Sequence, residues 1–593
     1  MNYGDWDLAS FYSGIDAPDY RSDRASYKQQ LSHLVAAAGE MPLAELVLAW
    51  EQLLILNEHV STYLVCQRSA DGRDQKVAQE LAAVQADGAQ LRQLEVVLGE
   101  RLRKLSPSEF EQLCARPGLE QLEHYLGRAR QRALWQMSGD LENLAADLDV
   151  DGLSAWGRLY DQVSGRLEFT YQDAQGKAVT VPMSLKNSLL EDPDAGVRRS
   201  VLQGSNQAWQ GVEDVCAAAL NAIAGTRHTL YRRRGIPHFL EPALFDAAIE
   251  SATLDAMLEA IRACAEWPRQ YLRKKAEILG VPRLGFQDLS APLPRLEHTS
   301  VPWEEGGRLL VEETRAAYPR FADFCQASLG QRWVDYTPRE GKRSGGFCIF
   351  STRLRQSRIF MTYHGAFGDL MTLTHEFGHA FHSHVMDQER PLNLFYPMTL
   401  AETASTYAEN LLIDALLRSP KTSPEQRLKL LDSRMERAAA FLLNIPSRFY
   451  FEKRFYEERL QGEVSLDRIK ELMLQSQREC YGDSLDEEQL DAYFWASKLH
   501  FYITEISFYN FPYAFGYLFS LGVYARAQRQ GPDFLPVYER LLQATGRRTA
   551  EQIAEDILGV DLRKPDFWLE SLRLVEQDLL EFEHLAGEVY ARV

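Results

Sequence analysis

The chain has 593 residues, of which 45% are apolar and 25% charged, and its net charge is -19. That length exceeds what one hydrophobic core holds, and the composition is that of a soluble globular protein with more than one domain. The excess negative charge argues against nucleic acid and anionic membrane as partners, since both present phosphates that it would repel.

The chain opens MNYGDWDLASFYSG, with neither the basic nor the apolar region of a secretory leader. It contains no run of 18 apolar residues, so no membrane span is expected. The seven cysteines are scattered, odd in number and never spaced C-x-x-C. This pattern predicts reduced thiols in a cytoplasmic protein and no thiolate metal site.

Apolar residues recur every three or four positions up to about residue 160, as in VAQELAAVQADGAQLRQLEVVLGERLRKL (77–105), which predicts long amphipathic helices. Strand signals are few. RLEFTYQDAQGKAVTVPM (166–183) has two β-rich runs around a glycine-containing turn and predicts a hairpin. Asp192 or Asp194 then caps a new helix. A domain boundary is expected near 185, giving an N-terminal helical lobe (1–185) and a catalytic domain (186–593). A second β-like stretch, GGFCIFSTRLRQSRIFMTYHG (345–365), runs into LMTLTHEFGHAFHSH (370–384). His364 and Gly365 at this junction read either as part of a binding wall or as a plain turn.

Four of the 13 histidines lie between 370 and 384. Apolar residues at 370, 373, 377, 380, 381 and 385 predict a helix. On it His375 and His379 share a face one turn apart and can converge on one ion. Zinc takes imidazole nitrogens at about 2.0–2.1 Å and keeps an open position when the protein supplies three ligands. Glu376 stands about 100° round the helix, beside the ion without binding it, where it can act as a base. The alternative is a polar helix face whose histidines are merely hydrogen-bonded. His382 reads as supporting the site or contacting substrate, and His384 as a surface or packing residue.

A third ligand is needed. In YPMTLAETASTYAEN (396–410), Pro397 precedes a helix carrying Glu402 and Glu409 two turns apart on one face. Small residues around Glu402 would let this helix approach the histidine helix closely. Glu402 as ligand and Glu409 as partner to a ligating histidine is a coherent reading. Acidic residues abound here, however, so spacing alone leaves Glu402 either a ligand or an ordinary carboxylate. Helical periodicity returns over 425–480 and from 515 to the end.

TLTHEFGHAFHS followed by LAETASTYAEN resembles the M3 (thimet-type) zinc metallopeptidases, and most of all their oligoendopeptidase F branch. YTPREGKRSGGFC (336–348), HFYITEISFYNFPYAFGY (500–517) and DLRKPDFWLESLRLVEQDLLEF (561–582) agree in order. The family commonly has Gly-Ala-Phe-Cys where this chain has Gly345-Gly346-Phe347-Cys348, and Phe511 and Pro512 interrupt its usual tyrosine spacing. The resemblance implies a mainly α, two-lobed helical body around a deep central channel, with a small sheet or hairpin near the active site. It implies one zinc per chain held by His375, His379 and Glu402, with Glu376 as general base. It also implies short unstructured peptides as substrates. Tyr509, Tyr513 and His500, carried over by position, are the candidates to stabilise the oxyanion; the bland alternative is that these rings simply pack. Tyr517, four residues after Tyr513, faces the same way if a helix starts near Pro512. An exopeptidase and a non-enzymatic peptide-binding protein with a structural metal are the competing readings.

Overall fold

A computed structural model of the protein describes residues 6–296 and 300–591. The fold is mainly α, with two small sheets. It divides into two compact units, each assembled from separate stretches of chain.

The first unit comprises residues 1–136, 298–416 and 526–559. Its N-terminal helices Pro18–Ala37 and Leu43–Ala70 bury Tyr27, Leu31, Leu46 and Trp50 in one apolar cluster with Leu98 and Leu126. The run over 77–105 forms two helices rather than one, Gln75–Ala86 and Gly88–Arg103. The break is at Asp87, whose carboxylate binds Arg24 Nη1 at 2.9 Å. The unit also holds a three-stranded sheet of β3 (Val334–Asp335), β4 (Phe347–Ser351) and β5 (Gln356–Phe360); β4 and β5 fall in the predicted β-like stretch, and β3 lies before it. Their order is β3-β5-β4, with β3 parallel and β4 antiparallel to β5, so β4 is an edge strand. The histidine helix, Phe367–Val385, packs against β4 and β5.

The second unit comprises residues 137–297, 417–525 and 560–593. Its hairpin, β1 (Glu168–Gln172) and β2 (Ala178–Pro182), pairs Phe169 with Val181. The hairpin lies on helix Ala195–Gln210, where Phe169 shares a core with Val197 and Val201. A Cβ at Gly204 would fall 2.0 Å from the Thr170 carbonyl oxygen, so only glycine allows this approach. Asp194, not Asp192, caps the helix by accepting the backbone N–H groups of Gly196 and Val197. This packing corrects the expected boundary near 185, because hairpin and helix belong to one core and cannot be parted there. The helix Phe511–Gln530 starts beside Pro512, whose fixed φ suits a first turn. The C-terminal helix Pro565–Ala591 buries Phe567 and Trp568, and Trp568 Nε1–H donates to the Leu562 carbonyl at 2.8 Å.

Candidate metal centre

The histidine helix is entered through a tight turn. Gly365 has φ +91°, and the Asp369 carboxylate accepts the backbone N–H groups of His364 and Ala366 at 2.8 and 3.0 Å. The junction is thus a tight turn held by Asp369. Leu370, Leu373, Phe377 and Phe381 are buried, which fixes the rotation of the helix and leaves His375 and His379 on a half-open face.

The second helix, Met398–Arg418, follows Pro397 and crosses the first at Gly378. A Cβ on Gly378 would lie 2.4 Å from Ser405 Cα and 2.6 Å from the Ala404 carbonyl oxygen. Backbone therefore meets backbone, and no flexible side chain is there to yield. This contact carries Glu402 to the two imidazoles. Glu402 Oε2 is 3.3 Å from His375 Nε2 and 3.6 Å from His379 Nε2, and the two Nε2 atoms are 3.2 Å apart. A tetrahedral zinc with arms of about 2.0–2.1 Å has donor–donor edges of about 3.3–3.4 Å. The three atoms thus match the edges of such a shell, and no other residues among those described group their donor atoms this closely.

Each ligand is held in turn. His375 Nδ1 donates to Glu409 Oε1 at 2.6 Å, which fixes the proton there and frees the Nε2 lone pair. His379 donates to the backbone carbonyl of Ala401, while burial and the neighbouring His375 push it down to about 4, so that it is neutral and able to ligate. Ser405 Oγ donates to Glu402 Oε2 at 2.8 Å. Two nitrogen lone pairs and a carboxylate oxygen facing one point repel one another, and only a cation reconciles them. The residues fit zinc.

Glu376 is buried on the sheet side. Its Oε2 has no hydrogen-bond partner, and a Cβ on Gly346 would lie 3.4 Å from its Oε1. Burial, with the Glu402 charge adding, pushes its carboxyl up to about 7.

His382 differs from expectation. It is fully buried, with Nε2 at 2.9 Å from Thr545 Oγ1 and its ring stacked 4.3 Å from that of Tyr396. Burial drives it down to about 3, so it is a neutral packing residue and not part of the site. His384 stacks on Phe324 at 4.8 Å, as a packing residue. Ser405, expected only as a small residue, also orients the ligand. A hydroxyl three residues after a helical carboxylate is the local signal that would have pointed to it.

In the second unit, His500, Tyr509 and Tyr513 come together as one group of rings, with centroids 5.5–6.0 Å apart. Tyr517 is buried and stacked on Phe441 at 4.7 Å, so it packs and does not line a surface with Tyr513.

Comparison with known proteins matches residues 310–574 to the profile described as Peptidase family M3 and residues 102–169 to that described as Oligopeptidase F. The chain belongs to peptidase family M3. An oligoendopeptidase F homolog of Lactococcus lactis is 26% identical over 402 residues, 67% of this chain and 66% of the relative. Oligopeptidase PepF of Bacillus subtilis is 23% identical over 409 residues, 68% of this chain and 59% of the relative. The alignments therefore span two thirds of these M3 relatives or slightly less. The crystal structure of oligoendopeptidase-F from Enterococcus faecium has a TM-score of 0.71 at 18% identity, covering 96% of this chain and 99% of that one. A Chlamydophila abortus crystal structure reaches 0.84 at 19% identity, with 98% of both chains covered. These likenesses show that the M3 member shares their fold.

Gly378→Ala is expected to cost about 1–3 kcal/mol by forcing the two backbones apart. It should also lower zinc content, read by metal analysis beside a melting curve taken in chelator. An unchanged melting point with full zinc would mean that the helix crossing does not assemble the site. Glu409→Ala should weaken zinc binding by about 10–100-fold in a competition titration. Unchanged affinity would leave the His375–Glu409 bond without a role at the metal.

Proposed function

We propose that this protein is a zinc-dependent oligoendopeptidase that cleaves internal bonds of short, unstructured peptides, with one zinc per chain. One observation carries the reading: three donor atoms spaced 3.2–3.6 Å apart beside a buried carboxylate, Glu376, that does not join them. A purely structural site would have no use for that fourth group. Family membership supports peptide hydrolysis, and the names of the relatives support internal cleavage.

His375, His379 and Glu402 would hold the zinc ion, which when bound would supply a Lewis acid for water and the scissile carbonyl. The rest falls to the chain's own residues. Glu376 takes the proton of the attacking water and returns it to the leaving amine. Gly346 leaves the space beside its carboxylate free of a side chain. The edge strand β4 has unpaired main-chain groups along one side, so it can pair with an extended peptide and bind it with loose side-chain preference. Tyr509, Tyr513 and His500 are assigned as donors to the developing oxyanion; their place in the tyrosine-rich segment and their grouping as one set of rings support this. Among the described residues no helix is long and apolar enough to cross a membrane. The cysteines are unpaired, which fits the reducing cytoplasm.

The test is a quenched fluorescent peptide of about ten residues. Glu376→Gln should cut turnover by at least about 10²-fold while zinc stays bound. Cleavage undiminished in that variant would remove Glu376 from the chemistry, and no cleavage by the zinc-loaded wild type would sink the peptidase reading. Mass spectrometry of the products separates internal from terminal cleavage. Tyr513→Phe is expected to lower kcat by about 10²–10³-fold with little change in KM, as loss of an oxyanion donor does. An unaltered kcat would return Tyr513 to a packing role.

A further inference from the structure

Within the second unit, two cations share one aromatic ring. The guanidinium carbon of Arg448 lies 5.2 Å from the Phe494 centroid, and the Lys498 ammonium lies 4.7 Å from it. Among the described residues neither makes a hydrogen bond or an ion pair, and Arg448 Nε is buried with no partner. One carboxylate acts on Lys498 from a distance, that of Asp491, and it is already engaged. It pairs with Lys186 at 3.6 Å and accepts from Asn206 Nδ2 and the Tyr493 backbone.

Two buried cations of the unit are matched by carboxylates: Arg198 binds Asp288 at 2.9 Å, and Lys275 binds Glu436. Arg448 and Lys498, both half-buried, have no such partner. Removing a cation from water costs several kcal/mol, whereas a ring face returns about 0.5–2 kcal/mol. The strain shows in their proton affinities. Burial holds Arg448 down at about 10, and burial and then repulsion by Arg448 hold Lys498 at about 7. Burial, and then the charge of Arg448 and Lys498, push His500, whose Nδ1 is also buried and unpartnered, down to about 4. His500 is the ring that contacts Tyr509 and Tyr513. A protein of net charge -19 thus keeps two unmatched cations beside its tyrosine-rich segment.

We infer that Arg448 and Lys498 form an anion subsite that takes a carboxylate of the peptide substrate, over the face of Phe494. The inference rests on the peptidase reading above and adds a substrate feature to it. A guanidinium presents a planar fork that fits a carboxylate, and the ammonium adds a point charge to it. The carboxylate has two sources, the peptide C-terminus or an Asp or Glu side chain.

Fluorescence anisotropy of a labelled ten-residue-scale peptide decides it, with the peptide bound to zinc-loaded Glu376→Gln so that no cleavage occurs. The peptide is compared as the free acid, as the C-terminal amide, and as an amide ending in Glu. The plain amide should bind about 10–100-fold more weakly than the acid, the loss of one charged hydrogen-bonded contact. If the Glu-ended amide binds like the acid, the subsite accepts acidic side chains. If it binds like the plain amide, the subsite accepts the terminus alone. Lys498→Met and, independently, Arg448→Gln should collapse the difference between acid and amide, with melting curves confirming that each variant folds. Equal binding of all three peptides to the Glu376→Gln protein overturns the inference, as does a difference that survives in a folded variant. Failure of the wild type to cleave any peptide would count against the peptidase reading and not against this subsite, which is read by binding.

Discussion

The site depends on one contact, the approach of two helix backbones at Gly378 and Ser405. Ligands four residues apart on a helix are set by helix geometry alone. The third ligand has no such guarantee, because it is delivered by another helix and any side chain at the crossing would hold that helix off. Glycine at 378, with Ala404 and Ser405 opposite, lets Glu402 reach within 3.6 Å of both imidazoles. The other features of the centre elaborate this crossing. Glu409, two turns along the same helix, reaches back to fix the His375 proton, and the Ala401 carbonyl holds His379. One helix therefore supplies a ligand and both ligand supports.

The sheet does a different job. It backs the other side of the histidine helix, and Gly346 at the start of β4 lies against Glu376. Burial there keeps the carboxylate out of the ligand set while leaving one of its oxygens without a hydrogen-bond partner. The two units thus build opposite electrostatic surroundings from similar helices. In one, carboxylates gather where a cation belongs; in the other, Arg448 and Lys498 gather with their charge unmatched. In each, charge left uncompensated by the chain indicates the sign of the group that would fit there.

Much of this was legible in the residues. The helical spacing around H-E-x-x-H puts the two imidazoles on one helix face, as the structure has them, because a helix relates neighbours four apart without help from the rest of the fold. The hairpin at 168–182, the start of the helix at Pro512 and the cap at Asp194 were equally local. Illegible features had distant causes. His382 sits on the same helix as the ligands, but a neighbouring turn offers it Thr545, and no spacing rule reveals a partner 163 residues away. Tyr517 shares a face with Tyr513 by helical register, yet Phe441 covers it. The boundary near 185 failed because each unit is discontinuous, so composition along the chain does not follow its division in space.

The sequence by itself determined the mainly α character, the family, the pair of histidines with the adjacent Glu376 carboxylate, and the small sheet before them. These follow from periodicity and from motifs held within a turn or two of chain. Tertiary structure brought Glu402 to the two imidazoles, and it alone brought Arg448, Phe494 and Lys498 together. The physical reason is the range of the forces involved. Backbone geometry relates near neighbours with no freedom left over, whereas contacts between residues far apart in the chain are chosen by packing, which no local pattern records.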